Sequence, residues 1–286
     1  MKKVLFPFEV DVAAYKEAYI YAVSLARNLR AELILLNAFY VEADNSITRS
    51  KYTQLLKNNW FKAYKELNLF HEYYLKNHAS IEAELRLKTD HRFLHGNLVD
   101  EFRIILNKNT IDLVVIPAAD ENDSTRRKIR QMRREVLDMN STSLLITPAE
   151  TSYRPIHNIL YIYSEKEQRV ICEHLDEIMH ATNTSDATIH LVHLAKHGMT
   201  EREQDQEALK SAIKEICRQN RVVFHLLQEK NQRKEIREYV SRYDIQVLSL
   251  PLSQLHSMGN LFRRHLIEDM GLIHKIPVWL LAKQIT

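Results

Sequence analysis

The sequence predicts an α/β protein made of two parallel, doubly wound sheets, and three observations carry that prediction. Short apolar, β-branched runs alternate with longer amphipathic stretches along the 286 residues. The same order then starts again in the second half. Finally, segments of the two halves match in register. IDLVVIPAA (111–119) lies over IQVLSLPLS (245–253), and STSLLITPA (141–149) over KIPVWLLAK (275–283), both at a shift of 134 residues. VLFPF (4–8) lies over ILYIY (159–163) at a shift of 155, the difference of 21 being absorbed by a longer helix in the first half. Strands alternating with helices imply parallel sheets covered on both faces, with right-handed crossovers.

Each element follows from local pattern. Val4-Leu5-Phe6 reads as a buried strand, and apolar residues from Val12 to Leu29 recur at helical spacing. Leu33 to Val41 is a second strand, followed by a long helix from about Ser50 to Asn77. Ala83 to Leu87 is expected as the third strand and Gly96 to Asn109 as the next helix. Leu113 to Ile116 is a strand closed by Pro117, Ser124 to Met139 a basic helix, and Leu144 to Ile146 a fifth strand. Beyond the linker-like Pro148 to Pro155, strands are expected at 159–163, 189–194, 222–227, 247–250 and 278–281. Helices at 165–181, 200–219, 232–243 and 261–270 separate them. The domains are therefore 1–150 and 151–286.

Composition excludes several classes. The chain has only four glycines, Gly96, Gly198, Gly259 and Gly271, where average usage of roughly 7% would give about twenty. Collagen-like and Gly-rich disordered classes are excluded, and no P-loop, GxGxxG or G-x-S-x-G elbow exists. Forty basic against thirty-seven acidic residues leave a net charge of +3, which by itself makes no case for nucleic acid. Cys172 and Cys217 form no disulfide or metal spacing, which suits a reducing compartment. The apolar run Val4 to Phe8 is too short for a signal peptide, and no uncharged stretch is long enough to span a bilayer. A cytoplasmic chain is expected.

The local sequence adds a resemblance. KKVLFPFEVD resembles the opening strand and acidic turn of universal stress proteins. HGNLVDEFRIILNKNTIDLVVIP (95–117) resembles that family's third-strand exit, helix and fourth strand, with Gly96-Asn97 in place. IPVWLLAK (276–283) resembles the closing strand. The chain is thus similar to a tandem universal stress protein. The resemblance implies two five-stranded parallel sheets of order 3-2-1-4-5, flanked by helices and arranged as a pseudo-dimer. It also implies a nucleotide crevice between strands 1 and 4, where a loop G-x2-G-x9-G-(S/T) would hold the phosphates. Here PAADENDSTRRKIRQMRREV (117–136) has no glycine, and Gln131-Met132 stand at the Gly-Ser/Thr position. In the second half, Arg264-His265 stand there, and Ser164 replaces the acidic residue that Glu9 approximates in the first.

Local features allow more than one chemistry. Arg126, Arg127, Lys128, Arg130, Arg133 and Arg134 make either a solvated helix face or, with helix-start amides, an anion site. His190 and His193, three apart in a strand, point to opposite faces; His91 and His95 lack a third ligand, so no metal is expected. The helix carrying Trp60, Phe61, Tyr64, Phe70, Tyr73 and Tyr74 interleaves with Lys57, Lys62, Lys65 and Lys76. It reads as packing on the sheet or on a partner, part of it projecting, rather than as a nucleic-acid platform.

These readings converge on a non-catalytic universal stress protein acting by ligand or partner binding, with no cofactor, nucleic acid or membrane. A protein partner, homo-oligomer or small-molecule ligand is expected. The alternative is an adenine-nucleotide (ATP) binder with a divergent site and weak hydrolysis. It would place adenine near Phe8, Glu9 and Ala38, and phosphates near Ala118, Arg126 and Arg127. A related nucleotide α-hydrolase would need a Ser-Gly-rich loop after strand 1, which FEVDVAAY (8–15) does not supply. No acid, base or nucleophile set emerges by spacing.

Overall fold

The computed structural model describes residues 2–41, 47–78, 87–118, 123–139, 141–148, 153–164, 170–182, 187–195, 211, 213, 221–228, 232–253 and 276–282. Central strands form where the chain is apolar on both alternating faces, because parallel strands are covered by helices on both sides. β1 (Lys3–Pro7), β4 (Leu113–Pro117) and β5 (Ser143–Thr147) meet that condition, the last two being buried throughout. β2 (Glu32–Phe39) lies beside β1, and β3 (Thr89–His95) forms the edge. Helices α1 (Ala14–Asn28), α2 (Arg49–His78), α3 (Leu98–Lys108) and α4 (Asp123–Met139) connect them.

The second half repeats the order with β6 (Asn158–Tyr163), α5 (Ile171–Thr182), β7 (Thr188–Ala195), β8 (Arg221–Gln228), α6 (Gln232–Arg242), β9 (Val247–Pro251) and β10 (Val278–Leu281). Its strands also run 3-2-1-4-5 when read inward from β8. The repeat read from sequence reappears as register. Val4 pairs with Leu113 and, at the two shifts found above, Ile159 pairs with Val247.

Two expectations need correction. The two five-stranded sheets are one continuous ten-stranded sheet, β3-β2-β1-β4-β5-β10-β9-β6-β7-β8. Closing strands β5 and β10 pair antiparallel, so each covers the other's open edge. The third strand lies at Thr89–His95 rather than 83–87. Its sequence TDHRFLH is polar because it is an edge strand with every residue at least partly exposed, so an apolar-run criterion misses it. The expected 83–86 portion lies outside the described residues, as do the helix at 261–270 and all of 200–219 except residues 211 and 213.

The halves also touch away from the seam. Asn28 Nδ2 donates to Ala181 O at 2.6 Å, joining the ends of α1 and α5. Tyr153, from the segment between the halves, packs its ring on Tyr21 of α1 with centroids 5.0 Å apart.

Candidate functional site

In an open α/β sheet, the strand order reverses between β1 and β4, and ligands enter the crevice beyond those strands' C-terminal ends. β1 ends at Pro7 and leads out through Phe8 and Glu9; β4 ends at Pro117 and leads out through Ala118. The β1–β4 pairing offset, carried forward, sets Glu9 level with Ala118. Phe8, Glu9 and Ala118 therefore share one end of one strand pair.

Among the described residues, these groups are engaged within the chain. The Phe8 ring is fully buried, stacked on Phe6 at 6.0 Å and edge-on to Phe70 and Phe93 at 5.9 and 6.1 Å. Its N–H donates to Leu36 O at 2.9 Å, and its carbonyl accepts from Asn37 Nδ2 at 2.8 Å. Ala38, next along β2, is half-buried and level with Leu94 of β3. Ala118 N–H donates to Thr147 O at 2.7 Å, so this amide is unavailable to a phosphate.

Glu9 forms an ion pair with Lys128 of α4. Its other oxygen, Oε2, is buried and accepts no hydrogen bond among the described residues. Lys128 was in the basic run but not among the residues singled out for the site. No local signal marks Lys128 within that run, because only the packed helix decides which of its cations reaches Glu9. Arg103 Nη2 of α3 donates to Glu135 Oε1 at 2.6 Å and ties α4 in place. This contact holds the Glu135 carboxyl below its ordinary range.

The other basic residues distribute around α4. Thr125, Ile129, Met132 and Val136 form its buried stripe, at helical spacing. Arg126 is half-buried and partnered, while Arg127 is exposed. Met132, at the position where the resemblance would put a Ser or Thr for phosphate, is fully buried in the core.

Charge on the β1 side also disfavours an anion. Asp11 sits in the left-handed region (φ 61), a conformation Asp tolerates in turns. Glu66 of α2 lies close enough to Asp11 that burial first, then the Asp11 charge, raises its pKa; a backbone hydrogen bond from Asp11 partly offsets this. In the second half, Ser164 and Leu252 follow β6 and β9 at the equivalent level. Tyr163 stacks on His193 with centroids 5.0 Å apart. Gly259 and Arg264-His265 lie outside the described residues.

The turn into α3 keeps its expected role. Gly96 has φ 157, and Asn97 Oδ1 accepts from Val99 N at 2.9 Å as the helix N-cap. Other sequence candidates fall apart spatially. His190 contacts Tyr239 of α6, with Nδ1 and the hydroxyl oxygen 2.9 Å apart, while His193 lies against Tyr163. His91 stacks on Phe93, and His95 Nε2 accepts from Val41 N at 3.2 Å. Among the described residues, no group of three or more His, Cys, Asp or Glu could hold a metal ion. Burial raises the Cys172 thiol, with Glu173 adding to the shift; Cys217 lies outside the described residues.

A separate concavity of about 500 Å³ opens at the opposite end of the first-half strands. Lys2, Lys108, Asp112 and Ser141 line it from one half, and Glu177 and Ala282 from the other. It faces the N-terminal ends of β1, β4 and β5, away from the side where this topology places ligands.

The strand order, the α4 position and the crevice can be compared with known structures. The chain has a universal-stress-protein-like fold. It superposes on a universal stress protein from Archaeoglobus fulgidus DSM 4304 with a TM-score of 0.62 and 12% identity, covering 99% of this chain and 96% of that one. A protein assigned to the same family from Pseudomonas aeruginosa UCBPP-PA14 matches with a TM-score of 0.50 and 11% identity, over 98% of this chain and 93% of that one. The cytoplasmic domain of a prokaryotic cation chloride cotransporter matches at 0.52 and 11%, over 98% and 94%. No family model and no curated protein matches the sequence. A universal-stress-protein-like fold thus serves proteins of more than one kind, and function must be argued from the site. Among the described residues, no helix is long and apolar enough to cross a membrane.

Proposed function

We propose that the chain is a tandem universal stress protein, with domains 1–150 and 151–286. On this reading it acts in a stress response by binding a ligand or partner rather than by catalysis or ATP binding. The observation that carries the reading is the Glu9–Lys128 ion pair at the β1–β4 exit, beside a Phe8 buried in the core. One Glu9 oxygen is thereby committed to a partner within the chain. A phosphate entering here would have to displace Glu9 from Lys128 and approach Asp11 and Glu66. It would find no glycine between Pro117 and Val136 to let backbone amides close around it.

Calorimetric titration with ATP, together with acid extraction of the purified chain, tests this. The expected result is no co-purified nucleotide, no saturable heat at millimolar ATP and an unmoved Tm. A site with a Kd a hundred times below the ATP concentration would stabilise the fold by about 2.7 kcal/mol, an easily seen shift. Micromolar binding that disappears in Arg126→Ala/Arg127→Ala would establish the nucleotide-binding alternative instead.

A further inference from the structure

The edge of the sheet beyond β3 presents an unusual surface. Among the described residues, five of the eight exposed large apolar side chains belong to the β2–α2 segment: Tyr40, Trp60, Phe61, Tyr64 and Leu69. Trp60 is 48% exposed and Phe61 62%. The rings are ordered against one another. Trp60 and Tyr64 stack at 5.5 Å with planes 4° apart, and Trp60 meets Phe93 of β3 edge-on at 5.7 Å. Phe93 in turn stacks on the exposed His91 at 5.8 Å and 6°.

The charge there differs from that of the whole chain. α2 carries Arg49, Lys51, Lys57, Lys62, Lys65 and Lys76 against Glu66 and Glu72, a net of +4 on one helix in a chain of net +3. An exclusion of nucleic acid based on total charge averages this helix with acidic segments elsewhere.

We infer that this face binds single-stranded nucleic acid, with bases stacking on the Trp60–Tyr64 and His91–Phe93 rings and phosphates meeting Lys57 and Lys65. Three features favour that occupant. The stripe α2 uses for packing, Ala63, Leu67, Phe70 and Tyr74, is turned inward, so the outward set is predominantly flat rings rather than an aliphatic seam. At about 100° per residue, Lys57 falls between Tyr64 and Phe61 around the helix. A cation in line with the rings, one turn before Phe61, suits alternating base and phosphate. A second copy would bring like-charged lysines together.

The test is fluorescence anisotropy of labelled 15-nucleotide oligo-dT and oligo-U with the full chain, across a salt series starting near 50 mM. Saturable binding is expected, weakening with salt. Trp60→Ala/Phe61→Ala should weaken it about tenfold or more, and Lys57→Glu/Lys65→Glu should weaken it and flatten its salt dependence. Both pairs are exposed, so circular dichroism should be unchanged. Comparing the two oligomers distinguishes DNA from RNA. Absence of binding near 50 mM salt, equal affinity for a 15-bp duplex, or indifference to Trp60→Ala/Phe61→Ala would overturn the inference. So would the aromatic pair being needed instead for co-sedimentation with phosphatidylserine vesicles or for dimerisation. None of these outcomes bears on whether the crevice binds ATP.

Discussion

Leu145 and Trp279, which occupy equivalent positions in the sequence repeat, pair directly with each other across the antiparallel β5–β10 seam. On either side, Val278 pairs with Ile146 and Leu280 with Leu144, so the seam has the pattern of a two-fold interface built from one chain. Trp279 is 1% exposed and is the largest fully buried side chain. Trp279→Ala should therefore destabilise the chain by about 3–5 kcal/mol, combining lost burial and a cavity. Its indole Nε1 finds no acceptor among the described residues, so Trp279→Phe removes a buried orphan donor and should cost clearly less. Urea denaturation checks this; a Trp279→Ala loss under about 1 kcal/mol would mean the seam contributes little.

The Glu9–Lys128 pair makes a different prediction. The Glu9 side chain is 16% exposed and Lys128 36%, so solvent screens the attraction itself. The larger effect is what remains when one partner goes. Lys128→Met leaves Glu9 with both oxygens short of partners and should cost about 1–3 kcal/mol. Glu9→Gln/Lys128→Met removes the stranded charge and should recover most of that loss. A double-mutant cycle by thermal melting measures the coupling, and additive single effects would show that the pair is not energetically linked.

How much of this was legible follows from where information sits in the chain. Val4–Phe6, Leu113–Ile116 and Val278–Leu281 announce themselves because central strands need apolar residues on both faces. Thr89–His95 does not, because an edge strand is selected for polarity as much as for pairing. The repeat shifts carry the β1–β4 register onto β6–β9. It could not disclose that the halves share one sheet, since β5–β10 pairing is a long-range contact with no local signature. At the crevice, Phe8, Glu9 and Ala118 could be named from position along the strands alone. Lys128 could not, because only the packed helix decides which of its cations turns inward, and Arg127 turns out.

The turn into α3 offers a local test. Asn97 Oδ1 accepts the Val99 amide at 2.9 Å, and Asp100 and Glu101 in the first turn add favourable charge. Asn97→Ala should cost about 0.5–2 kcal/mol, while Asn97→Ser or Asn97→Asp should stay near wild type. Equilibrium urea melts would separate these outcomes, and an Ala variant as stable as the Asp variant would remove the cap from the account.

Acid sensitivity should arise from His174, which is 1% exposed beside the seam. Ala282 O can only accept, so His174 Nε2 donates to it at 3.2 Å, leaving Nδ1 to accept from Tyr161 OH at 2.6 Å. Both ring nitrogens are satisfied in the neutral form. Burial lowers the pKa from 6.5 to about 4, with the Ala282 contact acting in the opposite direction. The unfolded chain therefore binds this proton first as pH falls. Stability from the neutral imidazole is fully present above about pH 6.5, falls as pH drops towards 4, and loses nothing more from this group below that. A shift of this size corresponds to about 3 kcal/mol. Unfolding free energies measured from pH 7 to 4 should fall more steeply for wild type than for His174→Gln, whose carboxylates titrate in the same way. Parallel pH profiles for the two proteins would show that the buried imidazole does not set the acid limit of the fold.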